Sequence, residues 1–293
     1  MKIKNNRNQL GFAHWLVLAA LFVSIGALCF FAFRTVKNIQ KQDSVAKSAT
    51  STKTDISNPP KFIQAEFIDL SKIYSISKYR SGEGHDFSSN GETCRSMKHY
   101  FNPQVDVTIK PEKAADGRTI PPQPDGIHDI NIYSPVDGTI TDITAERLPV
   151  GEQLYIKPSN AKDYTVRLFH IYKTSGIQKG TTLKAGQKIG VISGYSATDI
   201  AIEAGQGHYV SYFQVISDNI FEAYKLRGAT SRDNFILSKE YRDSHALPCN
   251  QDKQGDQSFY YPEGYDHDAD TFKLSGYVKP DYTKAQQGQH NLN

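Results

Sequence analysis

The chain has 293 residues, a net charge of +3 and three cysteines. The positive balance comes from the first 53 residues, which carry eight Lys and Arg against a single acidic residue, Asp43. The residues beyond them hold 26 basic and 30 acidic side chains. This distribution excludes the basic stripe of a nucleic-acid-binding protein, and no nucleic acid is expected among the partners.

The first predicted element is a transmembrane helix within residues 10–33, which follows a basic flank at residues 1–9. Its run from Trp15 to Phe33 has no charged residue and is long enough to cross a hydrocarbon core of roughly 30 Å. A cleaved secretory signal is the alternative, but such signals have apolar stretches of about 7–15 residues that end in small residues. This run ends in phenylalanines, so we predict a retained single-pass anchor in the lipid bilayer of the cell membrane.

Residues 34–61 are predicted to be a flexible linker. Lys, Ser, Thr, Asp and Asn predominate there, and Pro59-Pro60 closes the segment. Basic residues lie on both sides of the predicted span, so the positive-inside rule does not decide its topology.

A β-rich region follows, from Phe62 to about Val215. Short β-branched and aromatic runs, broken by Gly and Asn, predict a mainly β fold, an antiparallel sandwich or barrel. Residues 219–245 instead predict a short helix that stops at Gly228, and the rest of the chain is predicted to be irregular. The strand candidates are residues 130–135, 138–143, 152–158, 164–172, 186–193, 198–204 and 208–216.

Three phrases within the β-rich region carry a family resemblance: SPVDGTI (134–140), LYIKPSNAKDYTVRLFHIY (154–172) and GIQKGTTLKAGQKIGVIS (176–193). In this order they resemble the LytM/lysostaphin-type zinc metallopeptidases, which share a duplicated hybrid motif and cut peptidoglycan cross-bridges. The resemblance implies a LytM-like β domain at residues 127–216. It leaves residues 62–126 as an N-terminal extension and residues 217–293 as a C-terminal extension, and it implies that this folded part lies outside the cytoplasm.

The zinc site of that family does not carry over residue by residue. The family binds zinc through a His-x-x-x-Asp element and a His-x-His element, and further histidines assist the attacking water. Ile127 and Asn131 stand at the ligand positions of the first element, and Ala201 stands at the ligand position of the second. Asp199 replaces a companion histidine, while His170 keeps an assisting position. The resemblance therefore implies a groove lined by Asn131, His170 and Asp199, with no complete metal site.

An upstream segment, residues 82–103, has no counterpart in the family. Three interpretations of it remain open: a lid salt-bridged by Asp86, Glu92, Arg95 and Lys98 with Tyr100 and Phe101 as apolar anchors, a noncatalytic binding surface, or a metal site. In the metal-site interpretation, His85 and His99 approach His170 and Asp199 across the groove.

If the domain is extracytoplasmic, the two cysteines outside the span either form a disulfide or remain buried thiols. The possible disulfide joins Cys94 and Cys249. The candidate binding residues of the upstream segment are His85, Asp86, Glu92, Arg95, Lys98 and His99.

The preferred hypothesis is a membrane-anchored, catalytically inactive peptidase homologue that binds peptidoglycan or another envelope component, such as a protein. The alternative is a cell-wall metalloendopeptidase that holds zinc as its cofactor through a non-standard ligand set. A lipoyl-like adaptor of an export assembly would need a long helical hairpin, and the sequence has no heptad run of that kind.

Overall fold

The structure is a computed structural model that describes residues 56–103, 112–113, 119–120, 122–146, 151–205, 207–251, 257–259 and 261–276. The predicted basic flank, the predicted membrane span and most of the predicted linker lie outside these residues. Among the helices in the described ranges, none has the length and hydropathy that crossing a membrane requires.

The described part of the chain is mainly antiparallel β structure, as the sequence predicts. The largest sheet has the order β15-β1-β2-β11-β8-β7-β6-β9, with β12 paired to β11 and β10 paired to both β5 and β8. Two short ribbons, β3–β4 and β13–β14, stand apart from it. The strands are β1 (Ser75–Ser77), β2 (His99–Asn102), β3 (Glu112–Lys113), β4 (Thr119–Ile120), β5 (Ile130–Tyr133), β6 (Gly138–Ala145), β7 (Glu152–Pro158), β8 (Tyr164–Lys173), β9 (Thr182–Leu183), β10 (Lys188–Ile192), β11 (Thr198–Ala204), β12 (Tyr209–Val210), β13 (Cys249–Gln251), β14 (Gln257–Phe259) and β15 (Thr271–Lys273).

The sheet extends beyond the region of the family resemblance. Strands β1 and β2 come from the predicted N-terminal extension, and β15 comes from the predicted C-terminal extension. Strand β2 pairs with β11 so that Tyr100 lies opposite Asp199. This pairing brings the upstream segment beside the strand that carries one of the groove candidates.

The predicted strand at residues 208–216 is only partly a strand. After β12 the chain turns into helix α1 (Tyr212–Val215), which begins at a capping box formed by Ser211 and Gln214. The reciprocal hydrogen bonds of that box satisfy backbone donors at the helix start, and they outweigh the β preference of the aromatic and β-branched residues. Two further helices follow, α2 (Asp218–Lys225) and α3 (Lys239–Ser244).

Alternation along the central strands gives the sheet two chemically different faces. Successive side chains of a strand point to opposite faces of the sheet. In these strands the side chains on one face are apolar and pack into the core. Each such residue contributes about 1.5–3 kcal/mol through burial. The fully buried set includes Leu154, Ile156, Val166, Leu168, Ile200 and Ile202.

Glu66 is a buried carboxyl group that packs against α1 and α2. The Tyr224 hydroxyl donates a hydrogen bond of 2.8 Å to Glu66 Oε2. Burial raises the pKa of Glu66 from its ordinary 4.5 to about 8, and hydrogen bonds from Tyr224 and Tyr212 only partly oppose this rise. The folded chain therefore keeps a proton that the unfolded chain releases near pH 4.5.

We expect this proton to make stability depend on pH. A raised carboxyl pKa contributes stability that is complete below pH 4.5 and is lost as the pH rises towards 8. Glu66→Gln mimics the protonated group, so the unfolding free energy of the wild type should fall relative to that of the variant by about 1.4 kcal/mol per pH unit in this window. Urea unfolding at a series of pH values measures the difference, and parallel profiles for the two proteins would contradict the expectation.

Candidate functional site

The face of the sheet opposite the core carries polar and aromatic side chains, and we call it the groove face. It is formed where β2, β11, β8 and β7 lie side by side. The alternation that buries Leu168 and Ile200 places their strand neighbours on this face. Its residues include Tyr100, Gln153, Tyr155, Arg167, Asp199 and Ala201.

A β-bulge in β8 positions His170. Glu152 pairs with Ile171 and Leu154 pairs with Leu168, so Phe169 and His170 together oppose a single residue of β7. His170 has φ = 63°, a left-handed conformation that is uncommon for a residue other than glycine. Bulges of this kind re-aim a side chain and occur often beside functional sites.

The bulge depends on a close backbone approach from Gly151. A Cβ atom at this position would lie 2.7 Å from the Ile171 carbonyl oxygen and 2.8 Å from the His170 carbonyl carbon. Gly151 also has φ = 89°, which other residues rarely adopt. Glycine is therefore required here for the chain to pack against the bulge.

The bulge directs His170 towards a buried ion pair. Lys98 Nζ lies 2.6 Å from Asp199 Oδ2, and the two side chains are only 2% and 0% exposed. His170 Nε2 lies 3.1 Å from Asp199 Oδ1, and His170 Nδ1 lies 3.7 Å from Glu146 Oε1. The four groups form one network in which Asp199 contacts both Lys98 and His170.

Electrostatics keeps this network charged despite its burial. Burial alone would lower the pKa of Lys98, but the Asp199 carboxylate raises it above its ordinary value. Burial alone would raise the pKa of Asp199, but Lys98 and His170 hold it well below its usual range. The pKa of His170 is raised, because the attraction of Asp199 outweighs burial. At neutral pH the Lys98–Asp199 pair is therefore fully ionised.

His85 and three aromatic rings complete the surroundings of the Lys98 ammonium group. His85 Nε2 lies 3.3 Å from Lys98 Nζ, while His85 Nδ1 lies 3.0 Å from the Asp86 carbonyl oxygen. Only a tautomer with the proton on Nδ1 satisfies both contacts, so Nε2 accepts from the ammonium. Lys98 Nζ also lies 4.5–4.9 Å from three ring centroids, those of Phe87, Tyr100 and Phe169. Such cation–π contacts stabilise a desolvated cation.

Residues 82–97 of the upstream segment form a salt-bridged lid that packs on part of the groove face through Phe87. Glu92 accepts hydrogen bonds from Arg80 and from Arg95 at 2.9 and 2.6 Å, and Arg95 also pairs with Asp243 at 2.7 Å. Asp86 Oδ1 accepts from the Arg95 backbone at 3.1 Å. The sequence interpretation of a lid also included Lys98 among these ion pairs. The structure instead pairs Lys98 with Asp199 on the sheet below.

The structure joins Cys94 and Cys249 in a disulfide between this lid and strand β13. The Asp86 carboxylate lies beside it, within 4.8 Å of both sulfur atoms. Because thiolates rather than disulfide sulfurs bind metals, this group holds no metal in its oxidised form.

His99 lies away from the network. The sequence suggested that His99 approaches His170, but the structure places His99 on the opposite face from Lys98, since neighbours in a strand point in opposite directions. Its ring nitrogens contact the Ser77 carbonyl oxygen and the Ser211 hydroxyl, each at 2.8 Å. Burial lowers the pKa of His99 to about 4, so this ring is neutral at pH 7. Asn131 lies on β5, where its carbonyl accepts from the Asp69 backbone.

Sequence reasoning missed two residues of the groove face. Phe87 belongs to the lid, and its ring packs against Phe169 and Tyr209 at 5.9 and 4.7 Å. Arg167 lies on β8 and contacts Phe87 and Phe169 from another side, with its Cζ atom 5.2 and 5.1 Å from the ring centroids. The alternation of β8 could have placed Arg167 on the groove face, whereas no local signal indicated the role of Phe87.

His85, His170 and Asp199 surround the Lys98 ammonium group, but their ligand atoms do not all lie within 4.8 Å of one another, as a shared metal ion would require. Two imidazole nitrogens and a carboxylate make a ligand set that suits zinc. In this arrangement the Lys98 ammonium lies among them, and the Nε2 lone pair of His85 faces it. His170 Nε2 lies 3.1 Å from Asp199 Oδ1, so this nitrogen faces a carboxylate rather than an open position. The cation at this site is therefore the Lys98 ammonium group.

Comparisons with known proteins give similar structures but no family. No family model matches the chain, and no curated protein matches it. The structure of Helicobacter pylori Csd3 is similar, with a TM-score of 0.35 and 14% identity over 53% of this chain. The chain spans about a third (35%) of the Csd3 chain.

Two other solved structures are similar to a comparable extent. The SpoIIQ–SpoIIIAH pore-forming complex matches with a TM-score of 0.33 and 13% identity over 58% of this chain and 99% of that chain. Lysostaphin matches with a TM-score of 0.24 and 14% identity over 51% of this chain and 60% of that chain.

Proposed function

We propose that this protein is a membrane-anchored, extracytoplasmic LytM-like domain that binds peptidoglycan or another envelope component without cleaving it. The apolar run of residues 10–33 supports the anchor. The Cys94–Cys249 disulfide supports an oxidising compartment, because disulfides persist mainly outside the cytoplasm. The three sequence phrases support the fold type, since they coincide with β6, with the β7–β8 hairpin and with the turn that leads into β10.

The Lys98–Asp199 ion pair is the observation that carries the noncatalytic part of this proposal. Zinc hydrolases use three protein ligands and an open fourth position for the attacking water. Here a buried ammonium group neutralises Asp199 and occupies the space beside His85. A metal ion would have to displace a charged side chain that its surroundings stabilise.

The residues at the remaining family positions also disfavour hydrolysis. The side chains of Ile127 and Ala201 have no atom that can bind a metal, and the amide of Asn131 is a weaker ligand than a carboxylate. Ile127 is also 54% exposed, whereas Ala201 is buried under the lid. Binding is therefore the function that the groove face supports best, through its partly buried aromatic and polar side chains.

Incubation of the purified full chain in detergent with peptidoglycan sacculi tests the proposal. We expect the protein to sediment with the sacculi and to release no soluble fragments, with or without added zinc. Tyr155→Ala should weaken sedimentation, because Tyr155 lies on the groove face. The matched variant Tyr241→Ala, on α3, should not.

Two results would contradict the proposal in different ways. Fragment release that stops when a chelator is added would show a metallopeptidase. Equal sedimentation of the two tyrosine variants would show that the groove face is not the binding surface.

A further inference from the structure

Arg167 is held in the middle of the groove face by neutral hydrogen-bond acceptors. Its Nη1 donates to the Tyr209 hydroxyl at 3.0 Å. Its Nη2 donates to Gln153 Oε1 and to the Tyr155 hydroxyl, both at 3.1 Å. The guanidinium group is thus fixed in position by three side chains, none of which carries a negative charge.

Arg167 differs in this respect from other arginines of the fold. Among the residues that the structure describes, no carboxylate lies within ion-pair distance of Arg167. The stabilisation of its charge comes from aromatic rings, with Cζ 4.8 Å from the Tyr155 centroid and little farther from Phe169 and Phe87. Carboxylates do pair with Arg80, Arg95, Arg232 and Arg242.

Arg167 also has hydrogen-bonding capacity that the fold does not use. Its Nε atom is buried, and in the described part of the chain its Nη1 atom makes one hydrogen bond, to Tyr209, with its two N–H groups, so the second N–H of Nη1 is the donor that a ligand can use. Tyr209 accepts from Arg167, so the hydroxyl proton of Tyr209 is available to another acceptor. On the neighbouring strand the register partner of Arg167 is Ala201, which contributes only a methyl group. A fixed cation and a phenol proton together are a donor set that a carboxylate can accept from.

The charges around Arg167 favour a singly charged ligand. The nearby Lys98 is neutralised by Asp199, so it adds no net charge to the site. Glu203 lies on β11 opposite Tyr209, where it disfavours a strongly anionic ligand. Phosphate groups are usually held by several cations or by a helix start. A carboxylate carried on a flexible, uncharged backbone fits this site better.

We propose that Arg167, together with Tyr155 and Tyr209, binds a free carboxylate of a short peptide on the groove face. This inference rests on the proposed binding function and names the chemical group that the groove recognises. In peptidoglycan, the stem peptides carry such carboxylates.

Titration of the full chain in detergent with a labelled stem peptide, L-alanyl-γ-D-glutamyl-L-lysyl-D-alanyl-D-alanine, tests the inference. Fluorescence anisotropy compares this peptide with the same peptide amidated at its carboxylates. We expect amidation to weaken binding about tenfold or more, since a charge-assisted hydrogen bond is lost. Arg167→Gln should weaken binding of the free peptide by a similar factor.

The two changes should not add, because each removes the same contact. Arg167→Gln should therefore bind the free and amidated peptides alike. The matched variant Lys157→Gln removes a positive charge from the neighbouring strand and should keep the full preference for the free peptide. Unchanged thermal unfolding of both variants separates loss of binding from loss of fold.

Three outcomes would overturn the inference. They are equal binding of both peptides by the wild type, a preference for the free peptide that survives in Arg167→Gln, and an absence of peptide binding. The proposed function is judged separately by sedimentation with sacculi. If Arg167→Gln sediments as the wild type does, only the role of Arg167 is wrong. If neither protein sediments but the peptide preference depends on Arg167, only the proposed peptidoglycan binding is wrong.

Discussion

Asp199→Asn is expected to destabilise the fold by about 3–5 kcal/mol, because it leaves the Lys98 ammonium buried without a counter-charge. The two side chains are almost fully buried, so water does not compensate for the lost partner. Asparagine keeps the shape of the side chain, which confines the change to its charge. Lys98→Met, which removes the other partner at similar volume, should have an effect of the same order.

The double variant distinguishes an ion pair from two independent contributions. With both charges removed, Lys98→Met/Asp199→Asn leaves no unpaired buried ion from the pair. Replacing a buried ion pair with apolar groups is often nearly neutral, so the double variant should recover most of the loss. Urea unfolding of the four proteins completes the cycle. Additive losses, with the double variant less stable than either single one, would contradict the ion-pair account.

Removing the Cys94–Cys249 disulfide is expected to cost about 2–5 kcal/mol of unfolding free energy. The bond joins residues 155 apart in sequence, so it removes many conformations from the unfolded chain. Loop-closure entropy alone gives about 5 kcal/mol for a loop of this size, and measured values are usually lower. The disulfide also ties the lid to β13, so its loss should loosen the cover over Lys98.

Urea unfolding of Cys94→Ser/Cys249→Ser, compared with the wild type under oxidising and reducing conditions, measures this contribution. The variant should match the reduced wild type. Cys29→Ser is the matched control, because Cys29 lies in the predicted membrane span and has no role in this disulfide. An oxidised wild type that unfolds at the same urea concentration as the double variant would refute the expected contribution.

The strand pattern could be predicted because it is local. Alternating apolar residues and turn glycines indicated β5, β6, β7, β8, β10 and β11 close to their observed bounds. The error at residues 208–216 had a local cause as well, since Ser211 and Gln214 form a capping box that competes with β structure. The incorporation of β1, β2 and β15 into the same sheet depends on pairing between distant segments, which local periodicity does not encode.

The composition of the site was harder to predict for the same reason. The sequence singled out Asp199 and His170. Which residue of the upstream segment contacts Asp199 depends on how β2 pairs with β11, and this pairing turns Lys98 rather than His99 towards Asp199. A shift of one residue in strand register exchanges the two faces. The bulge at His170 and the contact of Phe87 with Phe169 likewise depend on tertiary structure.

The metal content of the purified full chain tests the central claim most directly, which is that Lys98 serves as the cation of this site. After incubation with zinc and removal of the excess, we expect the wild type to retain far less than one zinc per chain. Lys98→Ala vacates the position of the ammonium beside His85 and Asp199 and should retain more zinc than the wild type. Near-stoichiometric zinc in the wild type that is lost in both His170→Ala and Asp199→Ala would contradict the claim.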